Sequence, residues 1–518
     1  MYGSFEYPDF PMDASFGVKQ GEHIPGPVLQ EYLETYAKRF GVFERVRLNT
    51  WVDSVEEAPM MAEADRQGGN EQEKTSEWLI SAHTLGEPVQ IRTKKLVVAC
   101  GLTNVPNMPK LPGAANFTGT LLHSKDFAAN YSKIVESKPS NAVILGSSKS
   151  AWDCAYLLAN ASTTVHMIIR TSGNGATVFT NFPVVNMRRA VTLLSPCIWG
   201  EADGYGWIRN MLHGTTVGRA VVNAFWGKMA NDMNEAMRFD KHPETAKLTP
   251  SMSPFWIGSN LNFDNCDTDF LQLVRGGTVI IHRADLESLQ ERVVKLSDGD
   301  EVPADVIVCC TGWQATPPIT FKGLTEKELG LPYHSHEIEP RVVAVDEEIF
   351  ARFPKLREQP CQGPLASSNH DGKNSELHKQ KINIPFRLYK GMVPPTFVEK
   401  RNLAYAGHVW CIGNSITWHN QALWLTAFFD GKLPLPSQEE IEKETILHSQ
   451  WGKWRAPLSR GALHLDLWLE ALPYNDMILE QLGLETWRKG GMFRELVVPY
   501  GPEDYRNVVD EWLEKNGY

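Results

Sequence analysis

The sequence predicts an α/β protein built on parallel sheets. Three observations predict it. Leu96–Cys100, Asn141–Leu145 and Ala304–Cys310 are short continuous apolar runs, the pattern of strands buried on both faces. Asn141–Leu145, Ser150–Asn160 and Thr164–Ile169 read in order as strand, helix and strand, which is a βαβ unit. Gly146 stands where the first of those strands must turn tightly into its helix.

The remaining elements follow in chain order. Val28, Leu29, Tyr32, Leu33, Tyr36 and Phe40 recur at helical spacing, so Gly26–Gly41 is predicted helical, with Pro27 in its first turn. Arg45–Val55 alternates as a strand does, and Trp78–Thr84 and Pro88–Cys100 continue as strands. The polar, glycine-containing stretch Ala62–Glu77 between them is expected to be a surface hairpin tip or a mobile loop. Asn107–Gly113 is a proline-rich linker. Val178–Asn262 is rich in Trp, Met and Phe, with helical stretches at Gly206–Leu212 and Gly218–Met237. It is read either as an inserted helical subdomain burying its own core or as an apolar surface shaping a substrate entrance or touching a membrane. Gly277–Arg283, Val293–Leu296 and Asn402–Ala406 are short strands, Arg357–Lys379 is a polar loop, and Gln421–Asp430 opens a helical, acidic remainder.

Composition excludes several classes. With 518 residues there is room for two to four domains at roughly 100–200 residues each. Apolar residues make up 42% and charged residues 22%, a balance that rules out wholesale disorder. The net charge of −11 argues against nucleic acid or an anionic membrane surface as partner. No apolar run reaches the roughly 18 residues of a membrane span. Eight cysteines without a Cys-x-x-Cys pair suit a reduced, cytoplasmic compartment. The N-terminus Met1–Met12 has neither the basic nor the apolar region of a signal peptide.

The chemistry-bearing segment is Ala142–Asp153, in which a strand runs through Gly146, Ser147, Ser148, Lys149, Ser150 and Ala151 into a helix. In a dinucleotide-binding Gly-x-Gly-x-x-Gly turn the first glycine makes the turn, the second admits the pyrophosphate, and the third lets helix and strand pack. Gly146, Ser148 and Ala151 hold those places, two of them with small residues instead of glycine, and the helix N-terminus offers N–H groups to a phosphate. A plain structural turn is the alternative. The following strand ends at Arg170 rather than at the acidic residue that binds the ribose of NAD; a guanidinium there suits the 2′-phosphate of NADP. His334-Ser-His336-Glu337 lacks further spaced ligands for a metal site, and Cys309 and Cys310 point to opposite faces of one strand.

Upstream, Phe117, Gly119, His123 and Phe127 stand in the order Phe-x-Gly-x-x-x-His-x-x-x-Phe. Placed just before the Gly146 turn, this pattern resembles the fingerprint of the flavin-containing monooxygenases. Leu96–Gly101 with Pro106 and Pro109 is similar to that family's crossover between domains, and Asp305–Trp313, with Thr311 and Gly312, to its return strand. Asn402–Gly407 and Gln421 are similar to the segment beneath the flavin, and Tyr32–Phe40 with Thr50–Val52 to the stretch at the flavin's adenine end. The tail around Tyr500–Arg506 is similar to filamentous-fungal members.

The resemblance implies two Rossmann-like dinucleotide-binding domains, the first N-terminally incomplete, with a helical insertion and a helical C-terminal tail. Residues 1–135 and 300–435 would form the FAD-binding domain. Residues 136–299 would form the NADPH-binding domain, with the insertion at about 178–262, and residues 436–518 a C-terminal extension. It further implies that Gly146–Ala151 and Arg170 hold NADPH, and that Val52, Gly101, Phe117, Gly119, His123, Phe127, Thr311, Gly312, Gly407 and Gln421 serve the cofactor sites. His123 is assigned a structural role at the crossover. The implied reaction inserts one atom of O₂ into a small organic substrate of secondary metabolism with FAD doing the chemistry, so no catalytic side-chain triad is expected. Phe127, where Baeyer–Villiger members carry Trp, favours oxygenation at N or S. Nothing before Gly26 supplies the family's first βαβ unit, which needs roughly 30 residues. The chain as written is therefore expected to be N-terminally shortened, either the remainder of an active enzyme or a non-catalytic homologue unable to hold FAD. Peripheral membrane contact by Val178–Met237 is left open.

Overall fold

The computed structural model describes residues 3–19, 22–59, 76–180, 191–202, 206–250, 252–360, 382–457, 461 and 463–517. Its best-formed layer is a five-stranded parallel sheet. The strands are β1 (Thr120–His123), β2 (Asn141–Leu145), β3 (Thr164–Ile168), β4 (Val279–His282) and β5 (Val306–Cys309), in the spatial order β4-β3-β2-β5-β1. Helix α1 (Lys149–Asn160) carries the chain from β2 to β3, and all pairings are parallel.

Both faces of this sheet are covered, which explains the continuous apolar runs of β2 and β5. Ala142, Ile144, Val306 and Val308 pack with Trp152, Phe179 and Phe270 on one face. Val143, Leu145, Ile307 and Cys309 pack with Leu289, Val294 and Leu296 on the other. The latter three belong to an antiparallel three-stranded sheet, Leu286–Leu289, Val293–Leu296 and Glu301–Pro303. Cys309 and Cys310 fall into the two opposite clusters, as the strand alternation predicts.

The second layer system is smaller. Leu96–Val98 runs parallel to Leu403–Tyr405, beside a long hairpin of Thr50–Pro59 and Ser76–Thr84 joined by Glu87–Thr93. The hairpin tip read at Ala62–Glu77 lies mostly outside the described residues, as does most of the Arg357–Lys379 loop. The helix predicted at Gly26–Gly41 is present at Gly26–Arg39.

Two expectations are corrected. Leu96–Cys100 is not buried on both faces: Val98 is buried, whereas Val97 is 44% exposed. Among the described residues Leu96–Val98 pairs only with Leu403–Tyr405, so its apolar run is not enclosed as that of β2 is. The Val178–Asn262 region also fails to close a core of its own. Beyond a small Val178–Met233–Ile257 cluster, its Trp199, Trp226, Phe255 and Trp256 join Phe350, Trp424, Trp451 and Trp454 in one large core. Its longest helix, Thr216–Met237, puts Val222 and Trp226 into that core beside Trp424 of Asn414–Phe429 and Trp451 and Trp454 of Gln438–Arg455. The C-terminal region completes that core and adds a short strand, with Leu465–Asp466 parallel to Val409–Trp410.

Candidate functional site

The Gly146 turn is built by close backbone approach. Gly146 has φ +141°, and its N–H donates to the Ile168 carbonyl at 3.1 Å. A Cβ at Gly146 would stand 2.5 Å from the Cys310 carbonyl oxygen, so no larger residue fits without moving β5. Ser148 is the extended N-cap of α1, and its hydroxyl does not cap the helix. The first-turn N–H groups at Lys149 and Ser150 have no intrahelical acceptor and point at whatever lies beyond the turn. Ala151 is fully buried where α1 meets β2. The Ser147 hydroxyl donates to the Gly175 carbonyl at 2.8 Å and the Thr177 hydroxyl to the Ser147 carbonyl at 2.9 Å, fastening the turn to the next loop. Lys149 is ion-paired with Asp153 one turn along α1.

Arg170 is exposed just past the carboxyl end of β3, the neighbour of β2. Asp285 holds its loop, accepting from the Thr171 hydroxyl at 2.5 Å and the Ser172 N–H at 3.1 Å. In parallel sheets the crevice beyond the carboxyl ends at a change of strand order is where ligands sit, and β2 is flanked there by β3 and β5.

The fingerprint residues divide. Gly119 is demanded by packing, because a Cβ there would lie 2.4 Å from the Asp305 carbonyl. Phe117 packs on the β2–β5 face and Phe127 sinks into the opposite core, 5.6 Å from Tyr131. His123 ends β1, 3% exposed, with its ring edge-on to Trp313 at 5.3 Å. Its Nδ1 accepts from the Lys125 N–H at 3.1 Å. Burial holds its pKa below the usual 6.5, against the opposing effect of the Gly312 backbone. The ring thus holds the Lys125 backbone at the crossover.

The crossover is a two-chain contact. The Asn107 N–H donates to the Gly312 carbonyl at 2.9 Å, and the Thr311 hydroxyl to the Asn107 carbonyl at 2.7 Å. Gly101 and Gly407 follow the carboxyl ends of the paired strands Leu96–Val98 and Leu403–Tyr405. Gly101, Gly312 and Gly407 all have positive φ, and Cβ atoms at Gly101 and Gly312 would meet nothing within 4 Å, so the backbone is accessible there. Val52 lies apart, opposite Ala82 in the hairpin. Gln421 is buried in the Asn414–Phe429 helix, where its Nε2 donates to Tyr474 at 2.7 Å and its Oε1 has no partner among the described residues. Neither Cys309 nor Cys310 is a poised nucleophile. Burial raises the Cys309 thiol to about 11, and a hydrogen bond with Cys154 raises that of Cys310.

Sequence reasoning did not find one feature. A cavity of about 120 Å³ lies among Thr180, Trp199, Trp226, Met229, Ile412 and Trp468. Thr180 follows the Thr177 that fastens the Gly146 turn, and Ile412 precedes the helix bearing Gln421, so the cavity is walled by both halves of the molecule. The wealth of Trp and Met in Val178–Asn262 was its only signal. No group of side chains suited to a metal ion occurs among the described residues, the His334–Glu337 stretch included. No described helix is long and apolar enough to cross a membrane.

These features agree with comparisons to known proteins. The model for flavin-binding monooxygenase-like proteins matches residues 4–185. The FAD-dependent monooxygenase rstn6 of Aspergillus nomiae is 30% identical, over 100% of this chain and 89% of its own length. An FAD-dependent monooxygenase of Pyrenophora dematioidea is 30% identical over 94% of this chain and 89% of its own. Among solved structures, a cyclohexanone monooxygenase mutant of Rhodococcus sp. Phi1 bound to NADP⁺ aligns with a TM-score of 0.50 at 16% identity, over 99% of this chain and 87% of that one, a likeness of fold. The motifs at Phe117–Phe127 and Gly146–Ala151 and the full-length similarity to these relatives lead to one conclusion: the chain belongs to the flavin-binding monooxygenase-like family.

Proposed function

We propose that the protein is a monooxygenase that uses NADPH, FAD and O₂ to add one oxygen atom to a small organic substrate of secondary metabolism. The observation that carries this is the alignment of two features at the carboxyl edge of one sheet: the Gly146–Ala151 turn after β2 and Arg170 after β3. The pyrophosphate would rest on Ser147, Ser148, Lys149 and Ser150, at the α1 N-terminus. Arg170 would pair its guanidinium with the 2′-phosphate. Gly101, Thr311, Gly312 and Gly407 would flank the flavin, where open glycine backbone permits close approach. Bound FAD supplies the redox chemistry with O₂. The chain's own work is orientation and water exclusion: His123 and Trp313 hold the crossover, and the aromatic wall of Trp199 and Trp226 keeps water from the cavity. Oxygenation at N or S is favoured over ester formation, on the ground of Phe127 at the last fingerprint position.

The test is cofactor binding by the purified chain. Flavin absorbance at one FAD per chain and NADPH oxidation stimulated by an organic substrate support the reading. Failure of added FAD to bind, together with no NADPH affinity, rejects it.

A further inference from the structure

A second cavity, of about 320 Å³, shares no lining residue with the tryptophan-walled one, and none of its lining belongs to the five-stranded sheet or the Gly146 turn. Its walls come from the hairpin of Tyr333–Ser335 and Ile382–Ile384, the start of helix Pro340–Arg352 and the helix Gln438–Arg455. Val342, Ile384, Pro395 and Ile446 make much of the lining apolar. The charges set among them are unevenly answered.

Arg387 lines this cavity. Its guanidinium donates to the Ser449 hydroxyl and, at 2.7 Å, to the Gln450 side-chain carbonyl, both neutral groups. Asp346, the carboxylate that acts on it most strongly through space, has its Oδ1 engaged by Gln450 at 2.7 Å and by the Trp454 indole at 2.6 Å. The Arg387 Nε has no acceptor among the described residues. It is nevertheless not one of the sealed polar atoms that lack a partner, so it keeps accessible surface. Desolvation draws the guanidinium pKa down to about 10, which leaves it charged at neutral pH. A part-buried cation bonded only to neutral groups is stabilised by an anion that reaches it.

On the solvent side two ion pairs close on themselves, Lys327 with Glu339 at 2.6 Å and Arg341 with Glu442. Glu328 accepts from the Thr325 N–H and hydroxyl. Glu337 is exposed and has no cationic partner among the described residues. The lining thus leaves one cation and one carboxylate open, with apolar wall between the charged groups. A simple anion would meet Arg387 but also four carboxylates against three cations. A simple amine would leave Arg387 unanswered.

We propose that this cavity binds a zwitterionic amino acid with an apolar side chain, its carboxylate on Arg387 and its ammonium group toward Glu337. The site is distinct from the one proposed for oxygenation and does not depend on that reading. Its ligand would touch the hairpin and both helices at once, and so stabilise the folded chain as occupancy rises.

The experiment is a binding comparison on the purified full chain at pH 7, by calorimetry and thermal melting. Three probes share one body: L-phenylalanine, 3-phenylpropionate, which lacks the amine, and 2-phenylethylamine, which lacks the carboxylate. Phenylalanine is expected to bind at least about tenfold more tightly than either of the others and to raise the melting temperature. Glu337→Gln, at an exposed position, is expected to weaken phenylalanine about threefold and to leave 3-phenylpropionate no weaker. Arg387→Lys is expected to weaken both carboxylates at least about tenfold while 2-phenylethylamine binds as before. If Arg387→Lys does not fold, Glu337→Gln and the probe comparison on the native chain decide. Tightest binding of the amine or of 3-phenylpropionate, equal affinity for all three, or binding of none at millimolar concentration overturns the proposal. Phenylalanine binding that neither variant changes lies elsewhere on the protein and overturns it as well.

Discussion

The carbonyl oxygen of Cys310 lies 2.5 Å from the position a Cβ would take on Gly146. The turn after β2 and the residue that follows β5 are thus in backbone contact, and only glycine keeps them so. Gly146→Ala must both leave a φ of +141° and displace Cys310. It is expected to cost on the order of 2 kcal/mol of stability and to weaken NADPH binding. Thermal melting and NADPH titration of the variant check both effects.

Arg170→Ala separates the two nicotinamide cofactors. A charge-assisted pair with a phosphate contributes enough for its loss to weaken NADPH roughly tenfold to a hundredfold. NADH, which lacks the 2′-phosphate, should bind as before. Equal weakening of both cofactors in fluorescence titrations would show that Arg170 acts on the loop held by Asp285 and does not touch the phosphate.

The His166 Nδ1 faces the His282 Nε2 at 3.0 Å between β3 and β4. Burial, reinforced by His282, depresses the His166 pKa to about 4; burial lowers that of His282 as well, with Asp300 opposing. Unfolded histidine protonates near pH 6.5, so the unfolded chain takes up protons first as pH falls. Stability is therefore complete above about 6.5 and declines between 6.5 and 4, by on the order of 3 kcal/mol for His166. His166→Gln should show a shallower fall in melting temperature over that range.

Arg455 fastens the inserted region to the C-terminal helices. Its guanidinium donates to the Phe255 carbonyl and lies 4.1 Å over the Phe255 ring. Glu470 and Asp466 act on it through space, and burial pushes the Glu470 carboxyl up to about 7 against the pull of Arg455. Arg455→Leu leaves the Phe255 carbonyl and two buried carboxyls without the cation and is expected to destabilise by about 1–3 kcal/mol. Denaturant unfolding of the variant measures this.

Much of the fold was legible because it is local. The strands at Asn141–Leu145 and Val293–Leu296 lie where the apolar pattern put them, and the Gly146 turn and α1 start within a residue of the expectation. Leu96–Cys100 shows the limit of such reasoning. A short apolar run reports that a strand is wanted but not how many neighbours will cover it, and Val97 is exposed. Phe117 and Phe127 show another limit. Four residues of one spacing pattern were read as a unit, yet the alternation of β1 and the start of the helix after it send the two aromatic rings to opposite faces of the sheet.

The sequence by itself determined the family, the βαβ unit and its tight turn at Gly146, because each is written in residues within a few turns of one another. There, backbone sterics and periodicity act without help from distant chain. Only the tertiary structure decided what encloses the cavity. Thr180, Trp226, Ile412 and Trp468 are far apart in sequence and carry no common motif. They meet because the aromatic side chains of the inserted region are buried in one core shared with the C-terminal helices. That shared burial brings Trp199, Trp226 and Trp468 around one apolar cavity, a juxtaposition no local pattern encodes.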